Sequence, residues 1–246
     1  MAGPCYIAIP TRERRAIVAE CVPTVKAGMT LGDILIIYDD CSHEYGYKFL
    51  EKWASVAHRE PVAIGIEAQR RNHFRAFWAT GMPYLYLTDS DALHDPSWRG
   101  EAMRLQARAD GAPVCLYNTT AHVSIQGNTI DDDLESDIIW RRVAPGISYW
   151  LTREHVAKIM PFVDQLQHWD WQVPEILGHR FAVARRSYVD HIGFGGMHHP
   201  SREGFDGGDR ALNPSVPLVR LRRQAVARLK ECYATRDNYT EHANAR

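Results

Sequence analysis

Short apolar runs rich in β-branched and aromatic residues recur through the first half of this chain, each separated from the next by a stretch of helical period. Cys5–Pro10 (CYIAIP), Ile34–Tyr38 (ILIIY), Val62–Ile66 (VAIGI), Tyr84–Thr88 (YLYLT) and Val114–Tyr117 (VCLY) read as strands. The segments between them read as helices: RRAIVAECVPTV giving out near Gly28, Tyr45–Ala57, Arg70–Thr80 closed by Gly81, and a helix from about Ser97 to Ala109. Strands that are apolar at every position, rather than at every second one, are buried on both faces, and the helices between them supply the cover. The expectation is an α/β fold: a Rossmann-like, doubly wound, mostly parallel sheet.

After Asn118 the alternation breaks. His122–Gln126, Gly127-Asn128 and Asp131-Asp132-Asp133 suggest a hairpin and loop; Ile147–Leu151 reads as a strand, and Thr152 as the N-cap of a helix through HVAKIMPFV. Trp171–Leu177 reads as a short helix stopped by Gly178, Phe181–Ala184 as a late strand, and Gly193–Pro217 as a loop with the composition of a lid. The segment VRLRRQAVARLKECYATR reads as a basic amphipathic helix, packed on the domain edge or, alternatively, touching an anionic membrane surface. Residues 1–118 are expected to form one half of a single domain, 119–217 its other half, and 218–246 a C-terminal helix and tail.

Charge narrows the function. With 29 basic against 30 acidic residues, the chain lacks the basic excess of a protein that coats nucleic acid, so no nucleic-acid partner is expected. No run approaches the ~20 apolar residues of a membrane span, and MAGPCYIAIPTRERR lacks the layout of a secretory signal. Five cysteines without C-x-x-C spacing suggest neither zinc nor a disulfide framework, which makes a cytoplasmic setting the default.

Ligands of an open parallel sheet bind outside the carboxyl ends of its strands. Here those ends release Pro10-Thr11-Arg12, Asp39-Asp40-Cys41-Ser42 and Asp89-Ser90-Asp91. Carboxylates gathered on one rim repel one another unless a cation or hydrogen-bond donors share the site; helix capping is the plainer account of Asp39-Asp40-Ser42. Among 17 aspartates, chance gives roughly one D-x-D triplet, and two occur, so only position distinguishes them. Asp131/Asp133 has no strand before it and reads as a solvated loop. Asp89/Asp91 follows an apolar strand directly, where extended backbone aims both carboxylates to one side, and their hard oxygens suit Mg²⁺ or Mn²⁺. The chain has no G-x-G-x-x-G after the first strand, no G-x-x-x-x-G-K-[ST] and no G-x-S-x-G, which removes dinucleotide, P-loop and α/β-hydrolase chemistry.

YIAIPTRER, then IIYDDCS, then EAQRRNHFRAFWATG leading into YLYLTDSD, in that order, resembles the inverting glycosyltransferases of GT-A fold, in particular the group-two enzymes that build bacterial surface polysaccharides. Later, HWDWQVPEILG resembles the family's acidic-aromatic acceptor motif and SYVDHIG its late histidine segment. The resemblance implies a metal-dependent transfer of a sugar from a nucleoside-diphosphate donor, a UDP-sugar first, to a hydroxyl of a glycan or glycolipid, with inversion; residues 1–118 would be the nucleotide-sugar-binding half and 119–217 the acceptor-binding and catalytic half. It implies donor contacts from Pro10, Thr11, Arg12, Asp39, Asp40, Arg71, Asp89 and Ser90, a divalent cation on Asp89, Asp91 and His191, with His198 or His199 as rivals, and Asp170 as general base. Many relatives carry Glu-Asp at the acceptor motif; here Asp170 stands alone between Trp169 and Trp171, expected to stack on acceptor sugars, although at least one of these Trp residues is expected in the core. Two other readings compete: a sugar nucleotidyltransferase, whose glycine-rich loop PTRER lacks, and a catalytically inactive nucleotide- or glycan-binding protein.

Overall fold

The computed structural model of the protein describes residues 3–192 and 210–244. The first half runs β1 (Cys5–Thr11), α1 (Arg15–Ala27), β2 (Ile34–Asp39), α2 (Tyr47–Leu50), β3 (Val56–Arg59), α3 (Gly65–Thr80), β4 (Tyr84–Thr88), β5 (Ala92–His94), α4 (Trp98–Arg108) and β6 (Val114–Cys115). The second runs α5 (Thr120–Val123), β7 (Thr129–Asp131), β8 (Ile138–Arg141), β9 (Ser148–Thr152), α6 (Arg153–Ile159), a 3-10 turn over Met160–Gln165, α7 (Trp169–Ile176), β10 (Phe181–Ala184), β11 (Val189–His191) and α8 (Val216–Asn244).

Among the described residues the main sheet has nine strands in the order β3-β2-β1-β4-β9-β6-β10-β8-β7. The pairs β3-β2, β2-β1 and β1-β4 are parallel, and β9 and β8 run against their neighbours. The chain steps outward from β1 to β2 to β3, then returns across all three to β4 on the far side of β1. Right-handed crossovers put α1 and α2 on one face and α3 on the other. The order therefore reverses between β1 and β4, and in open sheets ligands bind beyond the carboxyl ends of the strands at such a switch point.

β1 is buried at every position, and β2 and β4 at all but their first, which is why continuous apolar runs encode them. The third strand departs from expectation. Val56–Arg59, not Val62–Ile66, pairs with β2. As an edge strand it alternates between exposed and half-buried residues and carries no apolar run. The expected helix over Tyr45–Ala57 shortens to α2 because its last residues join this edge. Val62 and Ile66 are exposed instead, and α3 starts early because Asp40 accepts the N–H groups of Ile64 (2.6 Å) and Gly65 (3.1 Å). The expected hairpin also moves downstream, to β7–β8, with His122 in α5; Asp131 and Asp133 are exposed there. Thr152 caps α6 reciprocally: its hydroxyl accepts from His155 N–H (3.2 Å), and its own N–H donates to His155 Nδ1 (3.1 Å).

A second, two-stranded ribbon pairs β5 with β11 in antiparallel fashion and sets His191 opposite Ala92. Behind it a small apolar cluster joins Ile17 and Cys21 of α1, Leu93, Ile192, and Leu218, Ala225 and Leu229 of α8. The apolar stripe of α8 thus packs inward. Arg222 of α8 donates to Asp190 (2.7 Å) and to the His191 carbonyl (3.1 Å), clamping the helix to β11. No described helix is long and apolar enough to cross a membrane.

Candidate active site

The exits of β1 and β2 are tied together. Thr11 Oγ1 lies 2.6 Å from the Tyr45 hydroxyl, and Asp40 N–H donates to the Thr11 carbonyl (2.8 Å). Beyond Thr11, Glu13 and Arg14 both adopt left-handed backbone, with φ of 53° and 59°. Outside glycine this costs of order 1–3 kcal/mol per residue and persists only where neighbours over-determine it. They do so here: Glu13 N–H donates to Ser42 Oγ (2.7 Å), and the Glu13 carboxylate accepts the N–H groups of His43 (2.8 Å) and Glu44 (3.0 Å).

Each of the four rim aspartates faces an arginine. Asp39 is wholly buried; it accepts the Ser42 hydroxyl and the Ser42 N–H (3.2 Å), with Arg59 Nε at 3.5 Å. Burial raises its carboxyl above the ordinary value against those bonds. Asp40 caps α3, with Arg12 at 3.7 Å and half exposed. Pro10 and Ser90 are buried behind the rim. Arg71 donates to the Leu166 carbonyl (2.7 Å), and its neighbour Arg70 is the one that pairs with Asp89.

Asp89-Ser90-Asp91 forms a turn between β4 and β5, closed by Ala92 N–H on the Asp89 carbonyl (3.3 Å), and is not the extended segment expected. Asp91 Oδ2 takes Arg14 Nη1 at 2.7 Å and lies 3.2 Å from His191 Nε2. His191, a hundred positions away in the chain, arrives through the β5–β11 ribbon, where Ile192 N–H donates to the Asp91 carbonyl (3.0 Å). Burial works to raise the Asp91 carboxyl, but His191 and Arg14 hold it well below the ordinary range. Burial likewise opposes charge on His191, and Asp91 overrides it, lifting the imidazole to about 9. Arg70 is fully buried, donates to Asp89, and lies 4.5 Å above the ring of Trp169. It thus spans the Asp89 turn and the acceptor-like motif.

Asp170 sits in the first turn of α7, half-buried. Its two tryptophans divide. Trp169 is core, edge-on to Tyr149 at 5.3 Å and so close to Gly146 that a Cβ there would fall 2.7 Å from its ring; Trp171 is half exposed. Glu67 of α3 accepts Trp169 N–H at 3.5 Å. Burial, reinforced by the negative charge of Asp170, raises the Glu67 carboxyl against that bond. A second acid therefore stands by Asp170, but it comes from another element. Arg14, Arg70 and Glu67 escape the sequence reading; the basic and acidic clusters PTRERR and EAQRR were their signal, without showing which member turns inward. His198 and His199 lie outside the described residues, as does most of the segment Gly193–Pro217 expected as a lid.

No family model and no curated protein sequence matches the chain. Among solved structures, a mannosyltransferase, PcManGT from Pyrobaculum calidifontis, in complex with GDP-Man and Mn²⁺, superposes with a TM-score of 0.59 at 14% identity, covering 80% of this chain and 59% of that one. S. aureus TarS 1–349 in complex with UDP-GlcNAc superposes at 0.58 with 12% identity, covering 79% and 60%. The fold is of the GT-A type. The GT-A likeness covers a limited part of the larger partners: the chain spans 36% of the longer TarS structure, at a TM-score of 0.55 and 9% identity. The comparison carries the fold and not the substrate.

A divalent cation implied by the GT-A fold can be tested against these side chains. Asp91 Oδ2 and His191 Nε2, 3.2 Å apart, form an ion pair, so a cation held by both would have to take the place of the imidazole proton. No group of three or more His, Cys, Asp or Glu side chains poised for a metal occurs among the described residues. The carboxylates of Asp89 and Asp91 are nonetheless oxygen donors of the kind Mg²⁺-like ions take, one or two at a time, with substrate phosphates and water completing the shell. The residues fit a cation shared with a phosphorylated ligand.

Proposed function

We propose that this protein is a metal-dependent, inverting glycosyltransferase that moves a sugar from a nucleoside-diphosphate donor, a UDP-sugar first, to a hydroxyl of a glycan or glycolipid. The observation that supports it most is the meeting of Asp91 and His191 beyond the carboxyl end of β4, with Asp170 linked to that turn through Trp169 and Arg70. Asp91 and His191, joined by the freer edge of Asp89, would hold Mn²⁺ or Mg²⁺, which when bound offsets the charge developing on the departing diphosphate.

The chain's own groups supply the rest. Thr11 and Arg12 flank the donor, and Asp39 and Asp40 act on it through the loops that they fasten. Asp170 removes the acceptor hydroxyl's proton as the bond to the anomeric carbon forms on the face opposite the leaving group. Glu67, raised by burial, keeps a second acid beside that base. Trp171 offers its exposed face to an acceptor sugar. With the apolar stripe of α8 packed on α1, a membrane-borne acceptor would meet the exposed Arg220 and Arg223 by charge and not by insertion.

A thermal-shift screen of UDP, GDP, dTDP and CMP, each with Mn²⁺, Mg²⁺ or chelator, tests the reading. One nucleoside diphosphate should stabilise the protein in a metal-dependent manner, since a ligand of the folded state alone raises stability by mass action. No shift with any nucleotide would remove the transferase reading in favour of an inactive binding protein for another ligand.

A further inference from the structure

Of the four arginine–aspartate pairs on the rim, three are fixed in place or face solvent. Arg59 also donates to the carbonyls of Ser42 and Tyr45, Arg70 is sealed between Asp89, the Thr88 carbonyl and the Trp169 ring, and Arg12 is half exposed at 3.7 Å from its partner. Arg14 differs. Its side chain is 22% exposed, and among the described residues its guanidinium's hydrogen bond goes to Asp91 Oδ2, the same oxygen that faces His191. The left-handed backbone at residues 13 and 14, held by Ser42, His43 and Glu44, delivers the side chain there.

We propose that Arg14 is a built-in counter-cation of the acidic turn: it occupies Asp91 in the ligand-free protein, gives way to the divalent cation, and then pairs with the donor's diphosphate. The proposal rests on the function argued above. A guanidinium 2.7 Å from the oxygen that would ligate the metal cannot stay there once a doubly charged ion arrives, because the two cations repel at contact distance. A diphosphate offers the displaced arginine a better partner, since the planar fork matches two phosphate oxygens at once. Metal and donor then bind cooperatively: each removes part of the cost that the other faces, and the coupling is reciprocal.

The test is Mn²⁺ binding, followed by titration calorimetry and by the electron paramagnetic resonance signal of free Mn²⁺, in the wild type, Arg14→Gln, Arg14→Lys and Asp91→Asn, with and without UDP or GDP. Arg14→Gln should bind Mn²⁺ alone about 5–150-fold more tightly than the wild type, the usual span of such couplings, and should lose most of the tightening that the nucleotide brings. Arg14→Lys should fall between, and it decides the matter should the glutamine variant not fold. Equal Mn²⁺ affinity in wild type and Arg14 variants, with Asp91→Asn inactive in binding, overturns the role of Arg14 and leaves the metal site standing. Undiminished Mn²⁺ binding in Asp91→Asn removes the metal site itself. Failure of every protein to bind Mn²⁺, nucleotide present or not, overturns both.

Discussion

Two acidic pairs stand on the same rim and look alike in sequence, yet they hold different things. Asp39 and Asp40 accept backbone N–H groups, from Ser42 and from Ile64 and Gly65, so their oxygens are part of the framework that shapes two loops. The side chains of Asp89 and Asp91 face side-chain cations instead, the buried Arg70 for the first and Arg14 and His191 for the second, and Arg14 is the one a ligand can displace. A carboxylate bonded to backbone is fixed by the fold; one bonded to mobile cations is available for exchange. The difference separates a scaffold from a site.

The comparison can be broken in order of expected effect. Asp170→Asn should lower turnover about 10²–10⁴-fold while leaving nucleotide binding intact, read as donor hydrolysis or transfer against a calorimetric donor titration; equal turnover would remove Asp170 as base. Next, Asp91→Asn should abolish the metal-dependent stabilisation by nucleotide, about 2.7 kcal/mol at a hundredfold excess over Kd. Asp39→Asn should keep that gain and instead lose about 1–3 kcal/mol of intrinsic stability as a buried acceptor is weakened; if the nucleotide gain vanishes in Asp39→Asn, Asp39 contacts the donor and the distinction fails.

Smaller effects sharpen the framework side. His155 is pushed down to about 4, by burial and then by Lys158, from an ordinary value near 6.5. The unfolded chain therefore binds a proton that the folded one refuses between those values. The cap on α6 contributes fully above pH 6.5 and is lost as pH falls towards 4, at about 1.4 kcal/mol per pH unit inside the window. His155→Gln keeps an acceptor for Thr152 N–H without the titration, so urea midpoints at pH 6.5 and 4.5 should lie closer together in the variant. Asp40→Ala should cost about 1 kcal/mol, the usual value of an N-terminal helix cap, read as a drop in the urea midpoint.

How far the chain could be read follows the same physics. β1, β2 and β4 were legible because burial on both faces writes itself as unbroken apolar runs, and with them came the rim and its acids. β3 was not, because an edge strand needs no such run, and the run nearby, Val62–Ile66, lies in the approach to α3. The unlike fates of Trp169 and Trp171 were foreseeable, since positions two apart point to different sides of a helix; which one enters the core was settled by the gap at Gly146. Arg14 was hidden among the arginines of PTRERR because a left-handed turn, invisible in composition, decides which of them looks back at Asp91. The β5–β11 ribbon was hidden too: three residues on each side carry no period, and only the folded sheet brings His191 home.

The clamp of Arg222 on β11 has a consequence for how the protein comes into being. The strand bearing His191 is pinned by a helix that leaves the ribosome about thirty residues after it. Every strand of the main sheet precedes that helix, and so does β11, which then gains the bonds from Arg222 to Asp190 and to the His191 carbonyl. The rim therefore depends on residues in ascending order along the chain: Arg14 and Asp91 come first, His191 a hundred positions later, and the arginine that clamps its strand last.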